Sequence, residues 1–553
     1  MSYIITMTNK LYYGDNLEIL QKYIPDESID LVYLDPPFNS QRAYNVIFQD
    51  KTGKDATAQI HAFEDTWTWT NETQDAFDAI MAGNYPLELK DMMKAFKQFM
   101  GTTNLMAYLT MMAIRLVELR RILKETGSLY LHCDPTAGHY LKVLLDQIFG
   151  IGNFHAEIIW KRSSAHSDTK RGRSQFGHIH DIILFYTKSK QWKWNQQLTQ
   201  YDETYIQNFY KHKDPKTGKY YRLSDLTAAG ERKGESGGPL LFNGEKIYPA
   251  PGRHWALGLK HGESVQNALE RLLADGRIEY KKGKMPQYKR YLDEMTGVPL
   301  QDIWIDIRPV SSQGNERLGY PTQKPEALLE RIISASTNED DIVLDPFCGC
   351  GTAVAAAEKL HRKWIGIDIT HLAITLIKKR MLDHFPDAKF EVVGEPKSVD
   401  AAYELFMQSP FQFESWAVSL LGGQPYKSAG GGDSGIDGIL YFKDYKGKHH
   451  RIIIEVKGGG YNPKDVRSLK GVIEREEAPM GVLLALKAPT KGMLTEAASA
   501  GKWTMPGSRK SYPVIQIVTI EEIFSGKFPP LPDTSETLKK AVQHKRDEKG
   551  LFD

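Results

Sequence analysis

Long apolar runs, cysteines and any excess of charge of one sign are all scarce in this 553-residue chain. No apolar run approaches the ~20 residues that cross a bilayer as a helix, which excludes a helical membrane protein. The opening residues, Met1-Ser2-Tyr3-Ile4-Ile5-Thr6, lack a basic segment followed by a long apolar one, so no signal peptide is expected. With only three cysteines, Cys133, Cys348 and Cys350, a disulfide framework is excluded and a reducing cytoplasm fits. Cys348 and Cys350 have no further ligands nearby, so no zinc site is expected there. A net charge of +2 names no partner, and any nucleic-acid argument must rest on local charge. No internal repeat or low-complexity tract occurs. The phosphate cradle G-x-x-x-x-G-K-[ST] is absent too, which points away from a polyphosphate ligand.

The most informative stretch is Leu31-Val32-Tyr33-Leu34-Asp35-Pro36-Pro37-Phe38. Its apolar run is short and β-rich, as a buried strand requires. Two successive prolines remove two N–H donors and fix two φ angles, so the strand ends there. The result is a stiff turn carrying Asp35, the Pro36 carbonyl and the Phe38 ring at the carboxyl end of a strand, where open α/β sheets bind ligands. Acceptors beside an aromatic face suit a planar base with an exocyclic amino group, drawn from its stack and held by edge and face. Taken alone, the same residues also describe an ordinary strand and proline turn.

Elsewhere strands and helices alternate. Residues 11–20 predict a short strand turning at Gly14-Asp15-Asn16 into a helix, with Asp15 or Asn16 as its N-cap. Residues 39–105 are irregular and aromatic, a long insertion beside the proposed site. Apolar positions from Met106 to Leu123 recur at helical spacing, and Gly127 is expected to end that helix. Residues 129–135 predict a strand, 139–149 a helix and 157–160 a further strand. Such alternation implies a mostly parallel sheet covered on both faces. Over 161–222 lysines and arginines crowd together, with Trp192, Trp194, Tyr210, Tyr220 and Tyr221 among them. That texture suits phosphate contact and base stacking, and it also describes a solvated, loop-rich surface. Residues 223–315 are loop-rich, with many glycines.

Regular structure returns with Tyr320-Pro321-Thr322-Gln323-Lys324-Pro325 and then Ile342-Val343-Leu344-Asp345-Pro346-Phe347-Cys348-Gly349-Cys350-Gly351-Thr352. A helix over 353–360 and the strand Trp364-Ile365-Gly366-Ile367-Asp368 follow. In this order of strand, glycine loop, helix, strand and acid, the glycines admit a ligand close to the backbone. Asp368 lies within reach of ribose hydroxyls. The paired motifs resemble S-adenosylmethionine-dependent DNA amino-methyltransferases of the permuted (β) order, site-specific adenine-N6 type, over about residues 8–390. In that order D-P-P-[YF] precedes the recognition region and F-x-G-x-G comes last.

The resemblance implies that Asp35, Pro36, Pro37 and Phe38 form the catalytic motif. The acid and the first proline's carbonyl would hold the target amine while the aromatic ring stacks on the flipped base. It implies further that Thr322, Gln323, Lys324, Asp345, Phe347, Gly349 and Gly351 surround the cofactor's methionine part, that Asp368 takes the ribose, and that Asp15 and Asn16 lie near its adenine. Phe38 stands where tyrosine is commoner, and Cys350 where serine is usual. D-P-P rather than S-P-P leans toward adenine N6 over cytosine N4.

Phe390-Glu391-Val392-Val393 reads as that fold's last strand and 397–410 as a linker or connecting helix. A second unit follows, with Phe413-Glu414-Ser415-Trp416 on an amphipathic helix and strands over 439–442 and 451–457. In Glu455-Val456-Lys457, strand alternation puts the acid and the base on one face. With Asp437 from the neighbouring strand, two carboxylates would bind a divalent ion while the ammonium orients water. The same residues describe an edge strand with surface charges. Over about residues 408–525 the pattern resembles the Mrr-like branch of the PD-(D/E)xK nuclease fold, which implies Mg²⁺ on Asp437 and Glu455 with Lys457 catalytic.

The expected fold class is therefore α/β: a Rossmann-like S-adenosylmethionine methyltransferase sheet with an inserted target-recognition region, plus a carboxyl-terminal α/β restriction-endonuclease-like domain. Expected boundaries are 1–160 for the catalytic half, 161–315 for the recognition insert, 316–396 for the cofactor-binding half, 397–410 for the linker, 411–525 for the endonuclease-like domain and 526–553 for a tail. The expected function is site-specific DNA adenine methylation coupled to a Mg²⁺-dependent restriction endonuclease, in the cytoplasm. The alternatives are a methyltransferase whose nuclease-like domain only binds DNA, and a catalytically silent DNA-binding defence protein. Double-stranded DNA is the implied partner, with no membrane, and with room for a homodimer or a restriction or defence-system subunit.

Overall fold

Apolar patterning that repeats every two residues in short runs builds a large sheet, and the chain reaches its centre twice. A computed structural model describes residues 8–37, 43–49, 55–64, 69–163, 179–426 (apart from 200, 202, 243, 282–283, 296, 311–315, 317, 319 and 321) and 435–534. Strand β1 (Asn9–Tyr13) leads into helix α1 (Asn16–Tyr23). Asp15 caps that helix, accepting from the Leu17 N–H at 2.8 Å. Strand β2 (Ile29–Leu34) is buried at every position, as a strand covered on both faces must be, and stops at Asp35-Pro36-Pro37.

The stretch 39–105 is more regular than expected. Helices α2 (Asn71–Ala82) and α3 (Leu87–Met100) bury Phe77, Ile80, Leu89, Met93 and Phe96, a stripe at three- and four-residue spacing among charged neighbours. Helix α4 (Asn104–Ile122) passes directly into strand β3 (Leu123–Cys133), so Gly127 lies inside a strand and does not end the helix. A Cβ on Gly127 would sit 2.8 Å from Leu123 Cδ2, 2.9 Å from the Lys124 carbonyl oxygen and 3.2 Å from the Ile29 carbonyl oxygen, so the strand has no room for a side chain there. Helix α5 (Pro135–Phe149) starts earlier than expected, because Asp134 caps it and Pro135 occupies its first turn.

Strands β4 (Phe154–Lys161), β5 (His180–Thr187) and β6 (Ile303–Trp304) extend the sheet on one side. After helix α6 (Glu326–Ser336) come β7 (Ile342–Asp345), α7 (Thr352–Lys359), β8 (Lys363–Asp368), α8 (His371–His384) and β9 (Phe390–Val393). The strand order is β6-β4-β5-β3-β2-β7-β8-β1-β9, and β5 alone runs antiparallel to its neighbours. At the centre Leu31 of β2 faces Val343 of β7, so Asp35 and Asp345 emerge at the same edge. Connections leave these two strands toward opposite sides, which makes a crevice at their carboxyl ends.

Strands β5 and β6 thus belong to the main sheet although both fall within 161–315. The separate compact unit is narrower, Gln196–Gln301. It has a four-stranded antiparallel sheet and its own core around Leu226, Phe242, Trp255 and Leu269.

Past β9 the chain forms helix α9 (Val399–Gln408), then α10 (Pro410–Leu420). A five-stranded sheet follows in chain order: β10 (Gln424–Pro425), β11 (Gly438–Lys443), β12 (His449–Lys457), β13 (Met480–Ala485) and β14 (Ile515–Thr519). Trp416 and Phe413 of α10 are fully buried. This domain is packed directly on the first: the Tyr13 hydroxyl of β1 donates to Gln412 Oε1 of α10, and the ring centroid of His371 lies 6.4 Å from that of Trp416. Among the described residues no helix is long and apolar enough to cross a membrane.

Candidate active site

The crevice between β2 and β7 opens into a cavity of about 240 Å³. Five chain segments converge on it, and each brings residues singled out from the sequence. Asp35 and Pro37 enter from the turn after β2, Asp15 and Asn16 from the β1–α1 turn. Thr322, Gln323 and Lys324 line it from the turn before α6, and Asp345, Phe347, Gly349 and Asp368 from the β7 and β8 ends. Pro36 is buried beneath the turn, and Phe38 lies outside the described residues. Gly351 does not line the cavity; it shapes the loop, with φ +75° and a would-be Cβ only 2.7 Å from Ile377 Cγ1.

Asp368 is held from both sides. Its Oδ2 accepts from the Gly349 N–H at 2.9 Å, and its Oδ1 from the Thr370 N–H at 2.9 Å and hydroxyl at 2.8 Å. Burial nevertheless pushes its pKa up to about 6. Asp345 is raised as well, by burial and then by the neighbouring charges of Asp35 and Asp368. The cavity wall therefore concentrates carboxyl groups.

The Lys324 ammonium forms an ion pair with Asp35 Oδ2, so a residue expected among the cofactor ligands lies against the proposed catalytic acid. Sequence reasoning missed Arg115 and Asp181. Arg115 of α4, buried and on the cavity wall, donates from Nη2 to Asp15 at 2.8 Å and from Nε to Asn16 Oδ1 at 2.6 Å. Asn16 in turn donates to the Pro346 carbonyl at 2.9 Å, tying the β1–α1 turn to the glycine loop. A signal existed: Arg115 shares a helical face with Met112, Leu119 and Ile122, where a charge needs a partner. Behind Asp35, the Tyr33 hydroxyl hydrogen-bonds His132 Nδ1 at 2.9 Å, and His132 Nε2 pairs with Asp181 at 3.2 Å. Burial works against the Asp181 charge, but His132, Lys324 and Arg162 more than offset it and its pKa falls.

In the carboxyl-terminal domain, Glu455 and Lys457 do share a face, Oε1 and Nζ being 2.8 Å apart. Asp437 is opposite them, its Oδ2 accepting from the Val456 N–H at 2.6 Å. Burial raises the Glu455 pKa, with Lys457 partly offsetting it. Among the described residues there is no cluster of three metal-ligating side chains for the expected Mg²⁺; one oxygen of each acid is engaged, and Glu455 Oε2 is buried with no hydrogen-bond partner. Asp433, just upstream, lies outside the described residues.

Residues 29–379 match the family described as DNA methylase, and residues 410–524 match that described as NACHT-associated inactive Restriction Endonuclease 1. The type II methyltransferase M.EcaI of Enterobacter cloacae is 29% identical over 377 residues, 68% of this chain and 70% of that protein. The StyLTI Mod subunit of a type III restriction-modification enzyme from Salmonella typhimurium is 29% identical over 366 residues, 63% of this chain but only 50% of that subunit. The solved cytosine-N4-specific PvuII DNA methyltransferase aligns over 67% of this chain and 86% of its own at 14% identity, with a TM-score of 0.34, too distant to bear on the chemistry.

Proposed function

This chain belongs to the DNA methylase family, through a match that spans both halves of its main sheet, and from that premise we propose that it methylates the exocyclic amine of a DNA base flipped into the Asp35 site. S-adenosylmethionine is the methyl donor, and adenine N6 is the preferred target. One observation carries the reading: Asp35 and the Asp345–Asp368 loop, from opposite halves of the chain, converge on a single cavity at the sheet's crevice. An aspartate rather than a serine at the head of the proline turn supports adenine.

The cavity fits the cofactor. Asp368 keeps carboxylate oxygens where hydroxyl donors can reach them, and Gly349 and Gly351 hold left-handed φ values that bend the loop around a ligand. Asp15, Asn16, Phe347 and Asp345 would complete its enclosure. When bound, S-adenosylmethionine supplies an electrophilic methyl group. The chain's own residues supply alignment. An exocyclic amine is a weak nucleophile because its lone pair is delocalised into the ring. Asp35 and the Pro36 carbonyl would accept from its two N–H groups, which favours a tetrahedral nitrogen and directs the lone pair.

Within the same proposal, the Gln196–Gln301 unit chooses the DNA sequence, since loops on a separate support vary without disturbing the catalytic core. The carboxyl-terminal domain does not cleave. Its match to the family described as NACHT-associated inactive Restriction Endonuclease 1 supports that role. The chain is read as the modifying member of a restriction–modification pair. Purified protein with tritiated methyl donor and a varied DNA panel tests the methylation. Transfer to adenine, lost in Asp35→Ala with cofactor binding retained, is the expected result. Equal transfer by the variant would sink the assignment.

A further inference from the structure

We propose that Lys324 is the positioning residue of the methyl-accepting side, holding the Asp35 carboxylate in place, rather than a ligand of the cofactor's methionine part. This rests on the reading of Asp35 as the amine acceptor. The two side chains pair directly and are largely buried, the lysine 9% and the aspartate 17% exposed. The lysine takes Oδ2, leaving Oδ1 as the oxygen that can accept an amino hydrogen.

The backbone that delivers the ammonium is over-determined. Thr322 holds a left-handed φ of 62°, a conformation that persists in a non-glycine residue only where its surroundings impose it. Those surroundings are visible. The Gln323 amide accepts from the Leu318 N–H at 2.8 Å and donates to the Glu316 carbonyl at 2.7 Å. The Thr352 hydroxyl donates to the Lys324 carbonyl at 3.2 Å, anchoring the turn on α7.

Arg115, the other cation lining the cavity, is engaged by Asp15 and Asn16. Among the described residues that line the cavity, Lys324 is therefore the cation placed against Asp35.

The test is kcat and KM for DNA at saturating cofactor for wild type, Lys324→Met, Lys324→Gln and Lys324→Arg, with S-adenosylmethionine affinity by calorimetry on each full chain. Lys324→Met is expected to lose roughly 10- to 100-fold in kcat, with KM for DNA and cofactor affinity unchanged. Lys324→Arg should restore most of the kcat. Equal losses in the methionine and arginine variants would mark a purely structural lysine and overturn the proposal. So would a loss expressed as weaker cofactor binding, or full activity in Lys324→Met. If the methionine variant does not fold, the glutamine and arginine variants are judged by the same criteria. A wild-type protein that methylates no DNA refutes the reading of Asp35 itself, and the inference falls with it.

Discussion

Acid should loosen the cofactor through one identifiable group. Asp368 is buried, and burial lifts its pKa to about 6 in spite of three hydrogen bonds that favour the charged form. A ribose hydroxyl donates better to a carboxylate than to a carboxylic acid, so binding selects the ionised state. With a free-protein pKa of 6, requiring ionisation multiplies the apparent Kd by about eleven at pH 5 and leaves it nearly unchanged at pH 7.5. That is about 1.4 kcal/mol, one pH unit being 1.36 kcal/mol. The stability linkage has the opposite sign. Because the folded-state value is raised, this group's contribution is fully present below the ordinary carboxylate range and is lost as pH rises through about 6. Acid should thus weaken cofactor binding over a range where this residue does not weaken the fold. Calorimetric titration with S-adenosylmethionine between pH 5 and 7.5 measures the effect. Asp368→Asn should bind more weakly by roughly 1–3 kcal/mol and lose the inflection near pH 6. An affinity independent of pH, or an inflection that survives in the asparagine variant, would refute the reasoning.

Arg115→Met should weaken cofactor binding by roughly 1.5–3 kcal/mol, the worth of buried hydrogen bonds to a charged group, and calorimetry would show it without change in the DNA sequence methylated. Gly351→Ala places a side chain at φ +75° against Ile377 and should cost roughly 1–3 kcal/mol of stability, read from the urea midpoint. Exchanging residues 196–301 for the counterpart of a relative should move the methylated site, as modification-sensitive sequencing would report; an unchanged site would place recognition elsewhere. Incubation of unmodified DNA with the protein and Mg²⁺ should leave it uncut on a gel, and cleavage abolished by Glu455→Gln would restore the nuclease reading.

Errors in the sequence reading have a common physical origin. The stripes Phe77–Ile80 and Leu89–Met93–Phe96 have helical spacing, yet dense charges around them hid two helices. Gly127 resembles a helix stop because glycine is permissive in either role; its actual use is the crowding by Leu123, Lys124 and Ile29 that leaves no room for a side chain. His180–Thr187 was grouped with a basic insert by its neighbours' composition, although its own eight residues form a buried strand of the main sheet.

What the amino-acid sequence determined by itself is the local chemistry: the strand that must stop at Asp35-Pro36-Pro37, the glycine loop after Asp345, the acid at the end of β8, and Glu455 and Lys457 sharing a strand face. Each follows from backbone constraints within a few residues, namely missing donors, fixed φ, left-handed φ and two-residue alternation. Tertiary structure alone decided which of these groups meet. Lys324 finds Asp35 across 289 residues of chain, and Arg115 finds Asp15 across 100. Such pairings are made by the packing of whole strands and helices around a common core, and no local pattern encodes the distance between two residues that only the completed sheet brings together.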